Sequence, residues 1–142
     1  MKEISLLLAR VGTGLLLVMW GLIKAMAPKA AIHVSDTYYH GLLSSHAVQM
    51  PLGLAEVVLG FLVVLGIGRI IVLPLQAIVL GVGLAAIWKY ILDPFGMYLV
   101  PAASREPLFF PSLTVFAASL ILIAFRGSDR IAVDRLFGRG GD

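Results

Sequence analysis

Four long apolar runs, separated by shorter stretches that carry charge, organise this sequence. Pro51 to Gly68, PLGLAEVVLGFLVVLGIG, contains a single charged residue, Glu56. A run of this kind can cross the hydrocarbon core of a bilayer, which takes roughly 20 residues at ~1.5 Å each. Ile4 to Ala27 is the first such run, and Pro28 closes it, because proline cannot continue a helix without losing a backbone hydrogen bond. Ile70 to Leu92 is the third, with Pro74 near its start, and Leu108 to Phe125 is the fourth, without any charge. The pattern predicts an all-α fold, an integral membrane four-helix bundle in one domain spanning 1–142. Its helices lie at about 4–27, 51–68, 70–92 and 108–125, followed by a basic amphipathic tail over 126–142.

Within these runs the polar and small residues fall on single faces. At 100° per residue, Arg10, Gly14, Leu17, Gly21 and Lys24 share one narrow stripe, as do Gly53, Glu56 and Gly60. Small residues let helix backbones approach closely in lipid, so both stripes should face the bundle. The segment Lys29 to Met50 is a loop with room for a short interfacial helix. It holds all three histidines, with Asp36, Tyr38 and Tyr39. Trp88, Lys89 and Tyr90 form an aromatic and basic anchor of the interfacial kind. Asp93 to Gly96 reads as a turn.

Composition strengthens the membrane assignment. The chain of 142 residues is 60% hydrophobic and 13% charged, where a soluble protein carries about 25%. The apolar N-terminal run lacks a small-residue cleavage site and is longer than a signal-peptide core, so it is read as a retained first helix. The absence of cysteine removes disulfides, thiolate metal ligands, thiol redox chemistry and thioether haem attachment, and no covalent cofactor is expected. The net charge of +3 is distributed unevenly. Lys2, Arg10, Arg69, Arg126, Arg130, Arg135 and Arg139 lie on one side of the predicted bundle, and Lys24, Lys29, Lys89 and Arg105 on the other. The excess places both termini in the cytoplasm. These charges set topology and do not point to nucleic acid.

A carboxylate inside a spanning run costs about 2.5–3.5 kcal/mol on insertion scales, so Glu56 requires a partner. Counted from Pro51 it lies about 7 Å below the outer interface, and Lys24 about 5 Å below the same interface counted from Ala27. Lys24 is therefore the predicted partner, with Trp20, Trp88 and Lys89 near in depth. Such a pair either lines a pocket for a small ligand or quinone headgroup, or locks two helices together. Arg10 snorkels to phosphates, contacts a lipid headgroup or clamps an anion. His33, Asp36, His40 and His46 are candidate metal ligands, with Asp36 and His40 one helical turn apart, but their spacing matches no zinc or iron motif, and ordinary loop histidines are the rival reading. No nucleophile–base constellation is present, so no catalytic residue is expected.

Three stretches together resemble the DoxX family of small bacterial and archaeal membrane proteins. They are LLARVGTGLLLVMWGLIKAM (7–26), LGLAEVVLGFLVVLGIGRI (52–70) and GSDRIAVDRLFG (127–138). The resemblance implies a four-helix membrane bundle in the cytoplasmic membrane. It marks Arg10, Lys24, Glu56 and Asp134 as matching polar positions. Family members are associated with thiosulfate:quinone oxidoreductase subunits and with membrane complexes that handle oxidative stress. The expected function is therefore an accessory subunit of a membrane redox complex, with quinone as a candidate ligand and a catalytic partner subunit. The alternatives are a small-solute or lipid binder and a purely structural membrane subunit. The glycine-lined faces would serve self-association as well as internal packing.

Overall fold

A computed structural model describes residues 1–39, 41 and 44–138, apart from the side chain of His46. Those residues form helices α1 (Lys2–Met26), α2 (Pro28–Tyr38), α3 (His46–Leu65), α4 (Arg69–Ala86), α5 (Trp88–Leu92), α6 (Pro111–Ala124) and α7 (Val133–Leu136), with short 3-10 turns and no strand. Four stretches are long and apolar enough to cross a membrane: Lys2–Met26, Ala47–Leu65, Arg69–Ala86 and Pro107–Ala124.

The burial pattern is inverted relative to a soluble protein. Arg10 and Arg69 are the largest fully buried side chains, whereas Leu8, Val58, Ile71, Ile78 and Val82 are each more than half exposed. Apolar residues outside and charges inside is the arrangement expected where the surroundings are themselves apolar. Leu6, Leu17, Leu59, Val63, Val72, Leu73 and Leu122 form the core between α1, α3, α4 and α6.

Helices α1 and α3 run antiparallel in the tightest contact of the fold. A Cβ on Gly14 would stand 2.8 Å from the carbonyl oxygen of Gly60, and one on Gly60 2.6 Å from that of Gly14. Gly21 and Gly53 face each other in the same way, at 2.5 and 2.6 Å. Two glycine pairs with seven-residue spacing on each helix fix this register and bring the backbones together, the use of small residues expected in an apolar medium. α3 ends at Gly66, whose φ of 71° is left-handed. The Gly66 and Ile67 N–H groups donate back to the Leu62 carbonyl at 2.9 and 3.0 Å, which closes the helix end.

Several boundaries differ from the sequence-based expectation. The second long helix starts at His46 and carries Pro51 inside it. As the sixth residue, Pro51 forgoes the backbone bond to the Ala47 carbonyl, a cost the rest of the helix outweighs. The third run is split at Ile87 into α4 and α5, and the fourth begins as a 3-10 turn, Pro107–Phe109, before α6. The short helix expected between the first two long runs is present as α2. The tail is a 3-10 turn, Arg126–Ser128, followed by the four-residue α7, and not one amphipathic helix. Arg139 and the chain end lie outside the described residues.

At the end opposite Gly66, Tyr38, Tyr90 and Phe109 pack edge to face with centroids 4.9–5.5 Å apart. They join α2, α5 and the turn before α6. The Tyr38 hydroxyl donates to Glu106 Oε1 at 3.1 Å. Burial first, then this bond to an acidic partner, raises the Tyr38 pKa. Asp93 closes the following loop by accepting the N–H groups of Met97, Tyr98, Leu99 and Val100 at 2.7–3.2 Å. These bonds, led by that from Met97, hold its pKa well below the usual carboxylate range.

Two outcomes follow from this packing. Gly60→Ala should destabilise the bundle by ~1–3 kcal/mol, the typical cost of overpacking. Gly12→Ala, with nothing within 4 Å of the new Cβ, should be neutral or stabilising; thermal unfolding in detergent compares them. Because the Asp93 pKa is depressed, its contribution is present above the ordinary value of 3.8 and fades as pH falls toward the folded value. Asp93→Asn should therefore lower stability at pH 7 and flatten the acid limb of a stability–pH profile.

Candidate functional site

Two polar clusters occupy the two halves of the bundle. The first lies at the basic end, where α1, the turn after α3, α4 and the tail meet. Asp129 Oδ2 stands 3.1 Å from Arg10 Nε and 3.3 Å from an Arg69 terminal nitrogen. All three side chains are at most 2% exposed. Arg69 also donates to the carbonyls of Asp129 and Arg126 at 2.8 and 3.1 Å, and Arg10 donates to the Ile131 carbonyl. Asp134 accepts the backbone N–H groups of Gly68 and Arg69 at 2.8 and 3.0 Å and pairs with Arg69 Nε at 3.4 Å. It thereby caps α4 in trans, meeting amides that the helix start leaves unsatisfied. Burial opposes its ionisation, but the Arg69 and Gly68 amides and the Arg69 guanidinium prevail and lower its pKa.

This cluster accounts for Arg10. Its guanidinium is inside the protein, engaged by Asp129 and Ile131, and not at a lipid headgroup. Gly66 makes room for it: a Cβ there would fall 1.9 Å from an Arg10 terminal nitrogen. Asp129 is the residue that sequence reasoning passed over. Its signal was weak, one of three acids among four arginines in a segment read as a basic tail.

The second cluster pairs Lys24 with Glu56. Lys24 Nζ donates to Glu56 Oε1, with the lysine side chain 22% exposed and the glutamate 6%. In the glycine register, Lys24 lies some six residues, about 9 Å, from the level of Glu56. Side chains lean toward the N-terminus of their helix. On antiparallel helices the two therefore lean toward each other, which closes the gap. Glu56 is deeper than a count from Pro51 suggests, because it lies ten residues after His46 and nine before Leu65, at the middle of α3.

The other oxygen, Glu56 Oε2, is buried without a hydrogen-bond donor. Tyr39 lies within electrostatic reach: burial first, and the Glu56 charge second, raise the pKa of its phenol, which stays a proton donor. A Cβ on Gly83 of α4 would stand 3.7 Å from the Tyr39 hydroxyl. Gln76, further down α4, is fully buried with both amide atoms unpartnered. The arrangement can accept a hydrogen bond at Oε2 beside an ammonium.

Trp20 and Trp88 are partly exposed on the outer surface, and Lys89 Nζ lies 5.8 Å from the Trp88 ring centroid. No hydrogen bond or ion pair joins these three to Glu56 among the described residues. Trp88 lines an open apolar groove of about 310 Å³ with Gly81, Leu84, Ala85, Ile91, Leu92 and Phe116.

Comparison with protein families, curated proteins and solved structures found no match for this chain.

Of the metal-ligand candidates, His33 and Asp36 are exposed on α2, and Asp36 accepts a hydrogen bond from Ser44. α2 ends at Tyr38. His40 and the side chain of His46 lie outside the described residues. Among the described residues no three His, Asp or Glu side chains converge on a metal position.

The basic-end cluster should behave as a structural keystone. Asp129→Asn leaves two buried arginines short of a counter-charge and should cost ~3–5 kcal/mol. Glu3→Gln, which removes only the exposed pair with Arg130 (3.5 Å), should cost less than about 1 kcal/mol. Unfolding of the two variants in one detergent makes the comparison.

Proposed function

We propose that this chain is a small multi-pass protein of a bacterial or archaeal cytoplasmic membrane that serves as an accessory subunit of a redox complex. The observation that carries the docking part is the uneven use of helix surface. Of the fourth spanning window, Pro107–Ala124, 11% is buried, against 39% for α1. The α4–α6 face also carries the 310 Å³ groove. A spanning helix so lightly used inside the bundle leaves most of its surface for lipid or for a partner's helix. The redox assignment is supported by the DoxX resemblance, which also makes quinone a candidate ligand of the complex. In this reading the chain anchors and positions a catalytic partner and supplies no catalytic residue itself.

A second reading, a carrier or binder of a small polar organic solute, is favoured by the unmatched Glu56 Oε2. A neutral ligand with a hydroxyl or amide donor would satisfy that oxygen while Lys24 keeps Oε1.

One preparation separates the readings. The full chain is purified from its own membranes in mild detergent, with a photo-crosslinking residue at Leu113, an exposed site on α6. The accessory-subunit reading expects a cofactor-bearing membrane protein crosslinked there and quinone in the extract. A lone chain without partner or quinone overturns it. The binder reading expects a small molecule in the extract that is lost in Glu56→Gln while the unfolding temperature is held. Loss of stability without loss of any molecule makes the pair structural.

A further inference from the structure

At the basic end, α1 and α6 leave a second apolar groove, of about 200 Å³, lined by Lys2, Ser5, Leu6, Ile121 and Phe125. Leu6 is its buried floor, continuous with the core, while Ile121 and Phe125 are about half exposed and form its side. The lysine stands at the mouth, with Lys2 Nζ 5.1 Å from the centroid of the Phe125 ring. Neighbouring charges are already engaged. Glu3 pairs with Arg130 at 3.5 Å, and Arg10 and Arg69 are held by Asp129 and Asp134. Among the described residues no carboxylate lies within ion-pair distance of Lys2.

An open apolar groove, with the Lys2 ammonium on its lining and the Met1 α-ammonium next to it in sequence, is complementary to an apolar chain ending in an anion. The adjoining tail has the same character: Leu136 and Phe137 are exposed beside Arg130 and Arg135, the mix of side chains that settles at a bilayer interface. We propose that this groove seats one acyl chain of an anionic phospholipid, with the headgroup phosphate on the Lys2 ammonium, in the leaflet at the basic end. The site is independent of the accessory-subunit reading. It differs from the expectation that Arg10 meets a headgroup, because Arg10 is closed off by Asp129.

The probe is an equimolar mixture of phosphatidylglycerol and phosphatidylcholine added to the full chain in mild detergent, with retained lipids counted by native mass spectrometry. The unmodified chain should keep one phosphatidylglycerol in preference to phosphatidylcholine. Lys2→Gln removes an exposed charge and should cut that retention about fivefold, the usual value of one cation at an anionic lipid. It should also abolish the preference. Ile121→Trp, which fills the groove from an exposed position, should reduce retention of both lipids. Lys89→Gln, at the far end of the bundle, should change nothing, and each variant's unfolding temperature reports that it is folded. Equal retention of the two lipids by the unmodified chain overturns the proposal. So does undiminished phosphatidylglycerol in folded Lys2→Gln or folded Ile121→Trp.

Discussion

Two guanidinium groups buried at one end of an apolar bundle oblige the chain to bring carboxylates to them. A single uncompensated cation in such a place costs several kcal/mol, and two side by side cost more. Arg10 comes from α1 and Arg69 from the start of α4, and one carboxylate, Asp129, lies between them. A second, Asp134, takes the remaining side of Arg69 together with the unsatisfied start of α4. Both acids belong to the segment after α6. The path of that segment is therefore set by charge, and its apolar residues follow. Ala132 packs where Gly66 gives room, while Leu136 and Phe137 are left outside. Four parts of the chain meet in this network, which makes it the point where the α1–α3 pair is joined to α4 and the tail.

The opposite end is held by different means. There the backbone is satisfied by one acid, Asp93, which takes four successive amides, and three rings pack edge to face across α2, α5 and the turn before α6. No buried cation is involved. The two ends thus solve the same difficulty, polar groups with little water to meet them, with a charge network in one case and a carboxylate–amide loop in the other.

Much of this was legible in the sequence, because periodicity reports local facts. The stripes Arg10–Gly14–Leu17–Gly21–Lys24 and Gly53–Glu56–Gly60 are the faces that meet, since glycine spacing alone defines where two backbones can touch. The Lys24–Glu56 pair was predicted from a depth count from Pro51 and Ala27, and it is the opposed lean of the two side chains that brings them together. The depth of Glu56 was not legible, because Pro51 looked like a helix start and the helix continues back to His46. The role of Asp129 was not legible either. Its partners lie far along the chain, Arg69 being 60 positions away, and no local pattern of acids among arginines says which cation is buried.

The contrast between the clusters bears on function. Remove Asp129 in thought and two arginines are stranded, so the basic-end network is part of what the fold requires. The Lys24–Glu56 pair is different. Gly53 and Gly60 bring α3 against α1 on both sides of Glu56, and that contact depends on missing side chains, not on charge. An apolar residue at position 56 would serve the packing and would avoid placing a carboxylate at the middle of a spanning helix. The Lys24 side chain is 22% exposed, against 6% for Glu56. The architecture therefore accounts for the pairing of Arg10, Arg69, Asp129 and Asp134, with Asp129 Oδ1 and an Arg10 terminal nitrogen also buried without a hydrogen-bond partner. It explains how Lys24 and Glu56 meet, but it does not need them to. That leaves this pair, with Glu56 Oε2 buried without a donor, as a polar contact that the glycine-lined packing of α1 on α3 does not itself require.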